Sequence, residues 1–184
     1  MTPYEAACAE IDRANAGDPR GHELPYSERM VAWTRRLAPR ASEELLLAVR
    51  AQHLRRWEIS RSEYPEGRAG YLNWREDLKQ FHAVALGAIM IGAGYAEGAV
   101  AKAKGILLKK NRAADPEGQT LEDAACLVFL QHEFADFAAK TEEGKLIDIL
   151  RKTWGKMSPA ARDAALELTL GDREAALVKR ALGK

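Results

Sequence analysis

The chain has 184 residues, 47% hydrophobic and 30% charged, a composition typical of a globular protein with one domain. Its 28 basic and 27 acidic residues give a net charge of +1, so no overall field draws it to DNA, RNA or a membrane. The two cysteines lack CxxC spacing and no apolar run has membrane-spanning length. We therefore expect a cytoplasmic protein with reduced thiols and neither a membrane nor a nucleic acid as partner.

Helix-forming residues dominate, and no segment alternates polar and apolar residues over the length of a strand. The sequence therefore predicts an all-α fold, a single domain of about eight or nine helices. Proline, glycine and capping residues mark the ends of these helices. The predicted helices cover residues 3–15, 26–38, 42–58, 71–92, 96–110, 119–140, 143–154, 158–167 and 172–182.

The third predicted helix, 42–58, starts apolar and then turns polar. Its inner face, followed at helical spacing, includes Val49, His53 and Trp57. Two interpretations of the histidine stay open. It is a ligand in a functional site, or a core histidine hydrogen-bonded to a backbone carbonyl or to Glu58.

Two other predicted helices also carry a polar group on an inner face. His82 lies on the apolar stripe of 71–92, and Asp123 begins the apolar stripe of 119–140. A buried carboxylate without a partner is unfavourable. Asp123 is therefore a site residue or a first-turn residue held by backbone N–H groups. In a metal-free alternative it orients His53 as an acid–base pair.

Arginines alternate with aromatic residues in and after the segment that contains His53. Guanidinium groups bind phosphate with two hydrogen bonds and stack on aromatic rings, so this pattern predicts a small anionic or phosphorylated ligand. In the alternative, the arginine stems cover tryptophan faces at the surface and pair with glutamates. Lys109 and Lys110 either contact phosphate or form a solvated helix end. The candidate ligand-binding residues are Arg55, Arg56, Arg68 and Lys109.

Four segments, in chain order, resemble the helices of the HD-domain superfamily of metal-dependent phosphohydrolases. They are "YSERMVAWTRRLA", "ELLLAVRAQHL", "FHAVALGAIMIGAGYAEGAVAKAKGILLKK" and "EGQTLEDAACLVFL". The resemblance covers about residues 26–135. It implies one HD-like domain over 1–184, with the helices of 143–182 packed on its core.

The HD resemblance also implies a divalent metal ion. Tyr26 and Leu54 stand where the superfamily has its first histidine and the aspartate of its His-Asp pair. The implied ligands are therefore His53, His82 and Asp123, two imidazoles and a carboxylate, which meet the minimum for a metal site.

The function implied by this resemblance is metal-assisted hydrolysis of a phosphate ester on a small metabolite or nucleotide. Arg56 would offset charge on the phosphate, and Glu58 is the nearest candidate base. The alternative is a non-catalytic module that binds an anionic ligand in a degenerate HD-like pocket. An RNA-associated role is a third hypothesis, against which the net charge of +1 argues.

The whole chain also resembles an uncharacterised bacterial and fungal family named only as a domain of unknown function. The segments that carry this likeness are "HLRRWE", "RAGYLNWR" and "LRKTWGKMSP". It implies no activity. A homodimer formed through an exposed helix stays open as well.

Overall fold

Helices joined by turns make up the structure. This computed structural model describes residues 1–109 and 115–183, and no strand occurs among them, which confirms the all-α prediction. The chain divides into two compact units, Met1–Leu121 (unit 1) and Glu122–Lys184 (unit 2). Within the described ranges, none of the helices has the length and apolar character needed to cross a membrane.

The described part of the chain contains ten α-helices. Most of their bounds lie close to the predicted ones. They are α1 Pro3–Ala16, α2 Glu23–Leu37, α3 Glu43–Arg50, α4 Gly67–Gly92, α5 Glu97–Leu107, α6 Pro116–Val128, α7 Phe134–Ala139, α8 Glu143–Lys156, α9 Pro159–Leu166 and α10 Asp172–Ala181.

The prediction of a helix over residues 42–58 is wrong for the second half of this range. Helix α3 ends at Arg50, and only a short 3-10 turn, Arg56–Glu58, follows. Between them, Arg55 has a φ of 54°, in the left-handed region, and a residue in that conformation cannot continue a right-handed helix. His53 therefore lies in a tight turn rather than on a helical stripe.

Helix α1 holds the end of α3 in place. The Arg50 guanidinium donates two hydrogen bonds of 2.6 Å to the Asp12 carboxylate. The Asn15 side-chain amide donates to the Arg50 carbonyl at 3.4 Å, which satisfies one of the free carbonyls at the helix end. These contacts fix the position from which the His53 turn starts.

Helix α2 begins before its predicted range of 26–38, at Glu23. The buried Asp18 carboxylate accepts the backbone N–H of His22 at 2.7 Å and that of Glu23 at 3.2 Å. A carboxylate there satisfies free N–H groups at the start of a helix and complements its dipole. As a result, Glu23 lies on α2 one turn before Tyr26.

Helix α4 begins at Gly67, before the predicted start at residue 71. Its first turn lies against the preceding loop so closely that a Cβ on Gly70 would be 1.9 Å from the Pro65 carbonyl oxygen. Further along, the Trp74 indole N–H donates to the Ile59 carbonyl at 3.0 Å. Both contacts tie the long helix to the loop that follows the His53 turn.

Packing in unit 1 places α4 against α1 and α5, and α3 against α1, α2 and α5. Burial of apolar side chains stabilises the folded state by about 25 cal/mol per Å² of apolar surface removed from water. It is the main stabilising contribution here. The largest fully buried side chains of this core include Ile11, Met30, Leu45, Leu47, Leu54, Leu86, Met90 and Ile106.

The predicted helix 119–140 is interrupted in unit 2. A π-helical segment, Phe129–Glu133, separates α6 from α7. Helix α10 packs against α7 and α8. The buried Asp123 carboxylate accepts the Ser158 backbone N–H at 2.9 Å, just before the first residue of α9. Its predicted inner-face position is thus confirmed.

Candidate functional site

A pocket in unit 1 lies between the His53 turn, helix α4 and the end of α5. Seven of its nine lining residues are polar or charged, and of these described residues none is acidic. The lining consists of Gln52, His53, Arg56, Arg75, Leu78, Lys79, His82, Leu107 and Lys109.

Three neighbours fix the His53 ring. Its Nδ1 is 3.1 Å from a Glu23 carboxylate oxygen, and its Nε2 is 3.3 Å from an Arg56 guanidinium nitrogen. The Tyr26 ring stacks on it with 3.9 Å between centroids and 6° between planes. The ring therefore has little freedom to rotate.

These contacts also determine the His53 tautomer. Because a guanidinium only donates, Nε2 must accept from Arg56, and Nδ1 then carries the proton donated to Glu23. Burial, followed by the charges of Arg56, Arg75 and Lys109, holds the pKa of His53 well below its usual value. The imidazole is therefore neutral at physiological pH.

Glu23 is a largely buried carboxyl whose environment favours its protonated form. Burial raises its pKa to about 7, despite the opposing effect of the Arg56 charge, and the nearby Asp18 adds to the rise. Its side chain is only 13% exposed. Near neutral pH its charge is therefore sensitive to small changes in pH or in nearby charge.

His82 is 2% exposed and bonded to the backbone of the same turn. Its Nδ1–H donates to the Leu54 carbonyl at 2.8 Å, so its Nε2 carries the lone pair, and no hydrogen-bond partner of this atom occurs among the described residues. Burial and the nearby His53 lower the pKa of His82 to about 3. Leu54 thus contributes to the site through its carbonyl, while its side chain is buried in the core.

The Arg56 guanidinium is positioned by stacking as well as by His53. It lies 4.8 Å from the centroid of the Trp74 ring. Arg75, one helical turn before Lys79, donates to the Tyr71 hydroxyl at 3.1 Å. Aromatic contacts hold both guanidinium groups in place without neutralising their charge.

Two residues that border or line the pocket have left-handed backbones. In the described ranges, Arg55 (φ 54°) and Lys109 (φ 56°) are the non-glycine residues with positive φ. Such conformations are unfavourable for residues with a Cβ and cluster at functional sites. Lys109 lines the pocket and Arg55 directly precedes the lining residue Arg56, which supports a functional role for this region.

The comparison with known families agrees with the prediction from the whole chain. Residues 5–178 match the model of a family described as a domain of unknown function, DUF4202. The chain belongs to the DUF4202 family. Neither a curated protein nor a solved structure matches it. The predicted likeness to a domain of unknown function is thereby confirmed, and the more distant HD resemblance stays a prediction.

Several residues that the sequence predicted for a functional site of this chain do not line the pocket. Glu58 accepts a hydrogen bond of 2.6 Å from Arg55, and the two form an ion pair at the surface. Arg68 is exposed in the first turn of α4. Arg56 and Lys109 do line the pocket. Lys110 lies outside the described residues.

The predicted metal ligands are divided between the two units of this DUF4202 chain, so the set of three stays a prediction. His53 and His82 are neighbours in unit 1, with 6.4 Å between ring centroids, but both nitrogens of His53 already have partners. Asp123 belongs to unit 2, where it binds Ser158. Among the described residues, no three His, Cys, Asp or Glu side chains are arranged to hold a metal ion. The described side chains around the pocket therefore supply no complete ligand set for the implied metal.

The sequence analysis missed Glu23, Lys79 and Gln52, and it included Arg75 only as one of the arginines that alternate with aromatic residues. Glu23 is one helical turn before Tyr26, and an i, i+3 search from Tyr26 would have found it. Lys79 and Arg75 precede His82 by three and seven residues on α4, so they share its helix face. Gln52 had no such signal, because its position depends on the turn rather than on a helix.

Proposed function

We propose that this DUF4202 chain binds a small phosphorylated molecule through its anionic group in the unit 1 pocket. The observation that carries the proposal is the charge of the lining. It includes Arg56, Arg75, Lys79 and Lys109, and the described lining residues include no carboxylate. Lys79 also pairs with Glu76 on α4, but the other cations are not paired with it, and positive charges around a shared space repel one another. An anion with a charge near −2 relieves that repulsion.

The second support is that Arg56 is already positioned for a ligand. Stacking on Trp74 and the hydrogen bond to His53 use one face and one nitrogen of its guanidinium. A guanidinium has five N–H donors, so others stay available for a phosphate. Because the group is held in place beforehand, less conformational entropy is lost on binding.

The test is the affinity of the purified protein for n-propyl phosphate, measured by isothermal titration calorimetry at pH 8. The phosphate is then a dianion, since its second pKa is about 6. We expect Arg56→Gln to weaken binding about 10- to 100-fold, because a hydrogen bond to a charged group contributes about 1.5–3 kcal/mol. Added salt should weaken wild-type binding.

A matched control is Arg36→Gln. The Arg36 guanidinium also stacks on a tryptophan, 4.9 Å from the Trp33 ring centroid, but Arg36 is not part of the pocket lining. We expect this variant to bind n-propyl phosphate as the wild type does. Absence of binding by the wild type, or equal loss in both variants, would contradict the proposal.

Hydrolysis of the bound phosphate ester is a second candidate function. The observation that favours it is His53, a neutral imidazole oriented by the Glu23 carboxyl at the edge of a cationic pocket. A histidine held by a carboxyl group is a common general base, and His53 would take this role when a bound phosphate draws the Arg56 guanidinium away from its Nε2. The phosphatase activity of wild type and His53→Gln, measured against a panel of phosphate monoesters, tests this candidate.

Metal-assisted hydrolysis, which the HD resemblance implies, is tested separately by elemental analysis of protein purified without chelator. One equivalent of a divalent metal, lost in both His82→Ala and Asp123→Ala, would favour it. Four cations in the pocket lining make binding of a bare divalent cation unfavourable there. We therefore expect the metal content to be far below one equivalent.

A further inference from the structure

The pocket contains a hydrogen-bond acceptor that its cations do not account for. His82 lines the pocket, is 2% exposed, and within the described ranges 1–109 and 115–183 nothing donates to its Nε2. The other ring nitrogen, Nδ1, carries the proton and donates it to the Leu54 carbonyl. Nε2 therefore has a lone pair and can only accept a hydrogen bond. An anion does not satisfy a lone pair, because both are acceptors.

Gln52 supplies a second acceptor of the same kind. It is half-buried and lines the same pocket, and its buried side-chain oxygen has no partner in the part of the chain that the structure describes. Burying an acceptor without a hydrogen bond is unfavourable, so most such atoms in folded proteins are satisfied by protein, water or a ligand. Two such acceptors in one cationic pocket are therefore places where a ligand that brings hydrogen-bond donors gains additional contacts.

We infer that the ligand is a hydroxylated phosphate monoester, its phosphate bound by the arginines and lysines and its hydroxyl groups donating to His82 and Gln52. This inference rests on the proposed phosphate binding and adds the chemistry of the other half of the ligand. Phosphorylated polyols and sugars combine the two groups. An alkyl phosphate offers only the first, and it would leave both acceptors without a partner.

The deciding comparison uses glycerol phosphate and n-propyl phosphate, which have the same charge and the same number of carbon atoms. They differ in the two hydroxyl groups. At pH 8 we expect glycerol phosphate to bind the wild-type protein at least about tenfold more tightly, measured by calorimetry. Equal affinities would overturn the inference and leave the proposed function standing. Absence of binding by both would refute the proposed function itself.

Two variants assign the preference to these acceptors. His82→Asn keeps a side-chain N–H for the Leu54 carbonyl but removes the acceptor at Nε2. Gln52→Leu removes the second acceptor at a half-buried position, where the fold is less sensitive to substitution. Each should weaken glycerol phosphate binding about five- to tenfold and leave n-propyl phosphate binding within about twofold.

The two ligands also separate a binding role from a structural one. If either variant merely distorts the pocket, the affinities for both phosphates fall together, and the assignment of that acceptor is wrong. Circular dichroism and the unfolding midpoint of each variant show that it is folded. Loss of the preference in His82→Asn or in Gln52→Leu, with n-propyl phosphate binding intact, supports the inference.

Discussion

Replacing Glu23 by glutamine tests the electrostatics of the pocket through the stability of the protein. In the folded chain burial raises the pKa of this carboxyl from an ordinary 4.5 to about 7. The folded state therefore binds the proton more tightly than the unfolded state. Stability from this group is present at low pH and is lost as the pH rises from about 4.5 through about 7.

The size of the effect follows from these two pKa values. Linkage predicts that ionising Glu23 lowers the free energy of unfolding by about 2–3 kcal/mol between pH 5 and pH 8. A glutamine at this position has no charge, and its oxygen still accepts the N–H of His53. The difference between the variant and the wild type should therefore grow by that amount over the same range, in favour of the variant.

The assay is urea unfolding of both proteins at pH 5, 6, 7 and 8, followed by tryptophan fluorescence. Three of the four tryptophans, Trp33, Trp57 and Trp74, lie in unit 1 and report on it. The other charged neighbours of the carboxyl, among them Arg56, Arg20, Asp18 and His22, are the same in both proteins, so their contributions largely cancel.

A matched control for Glu23 is Glu58→Gln, because that carboxylate is at the surface and paired with Arg55. Its replacement should change the free energy of unfolding by less than about 1 kcal/mol at every pH. A difference between Glu23→Gln and wild type that stays constant from pH 5 to pH 8 would refute the reasoning.

Two further predictions concern the backbone around the site. Gly70→Ala should lower the free energy of unfolding by about 3 kcal/mol or more, because its Cβ would meet the Pro65 carbonyl oxygen at 1.9 Å. Gly98→Ala, in α5 with open space around it, should instead raise it by up to about 1 kcal/mol, and equal effects in urea unfolding would contradict the packing argument. Lys109→Gly should raise the free energy of unfolding by about 1 kcal/mol, because a φ of 56° suits glycine, yet weaken n-propyl phosphate binding about tenfold in calorimetry. Unchanged binding would exclude Lys109 from the site.

The candidate site could be predicted only in part. His53, His82, Arg56 and Lys109 were identified because two are histidines amid apolar residues and two are basic residues in strongly basic segments. The prediction that His53 lies on a helix stripe was wrong, because the left-handed backbone at Arg55 is not visible in a helical pattern. The sequence thus identified several residues that line the pocket, but it did not predict the backbone geometry that brings them together.

The sequence by itself determined the helical class, most helix bounds, and the burial of His82 and Asp123. These depend on local signals: helix propensity, capping residues, and apolar residues at helical spacing. Such signals act between residues within one or two helical turns. A short stretch of sequence is therefore enough to predict these features.

Only the tertiary structure decided which side chains form the site. Glu23 meets His53 across 30 residues, and His82 meets the Leu54 carbonyl across 28. No local pattern encodes these contacts, because they depend on how α2 and α4 pack around the turn after α3. That packing gave His53 a partner in Glu23 and brought Arg56, Arg75, Lys79 and Lys109 to the pocket that both histidines line.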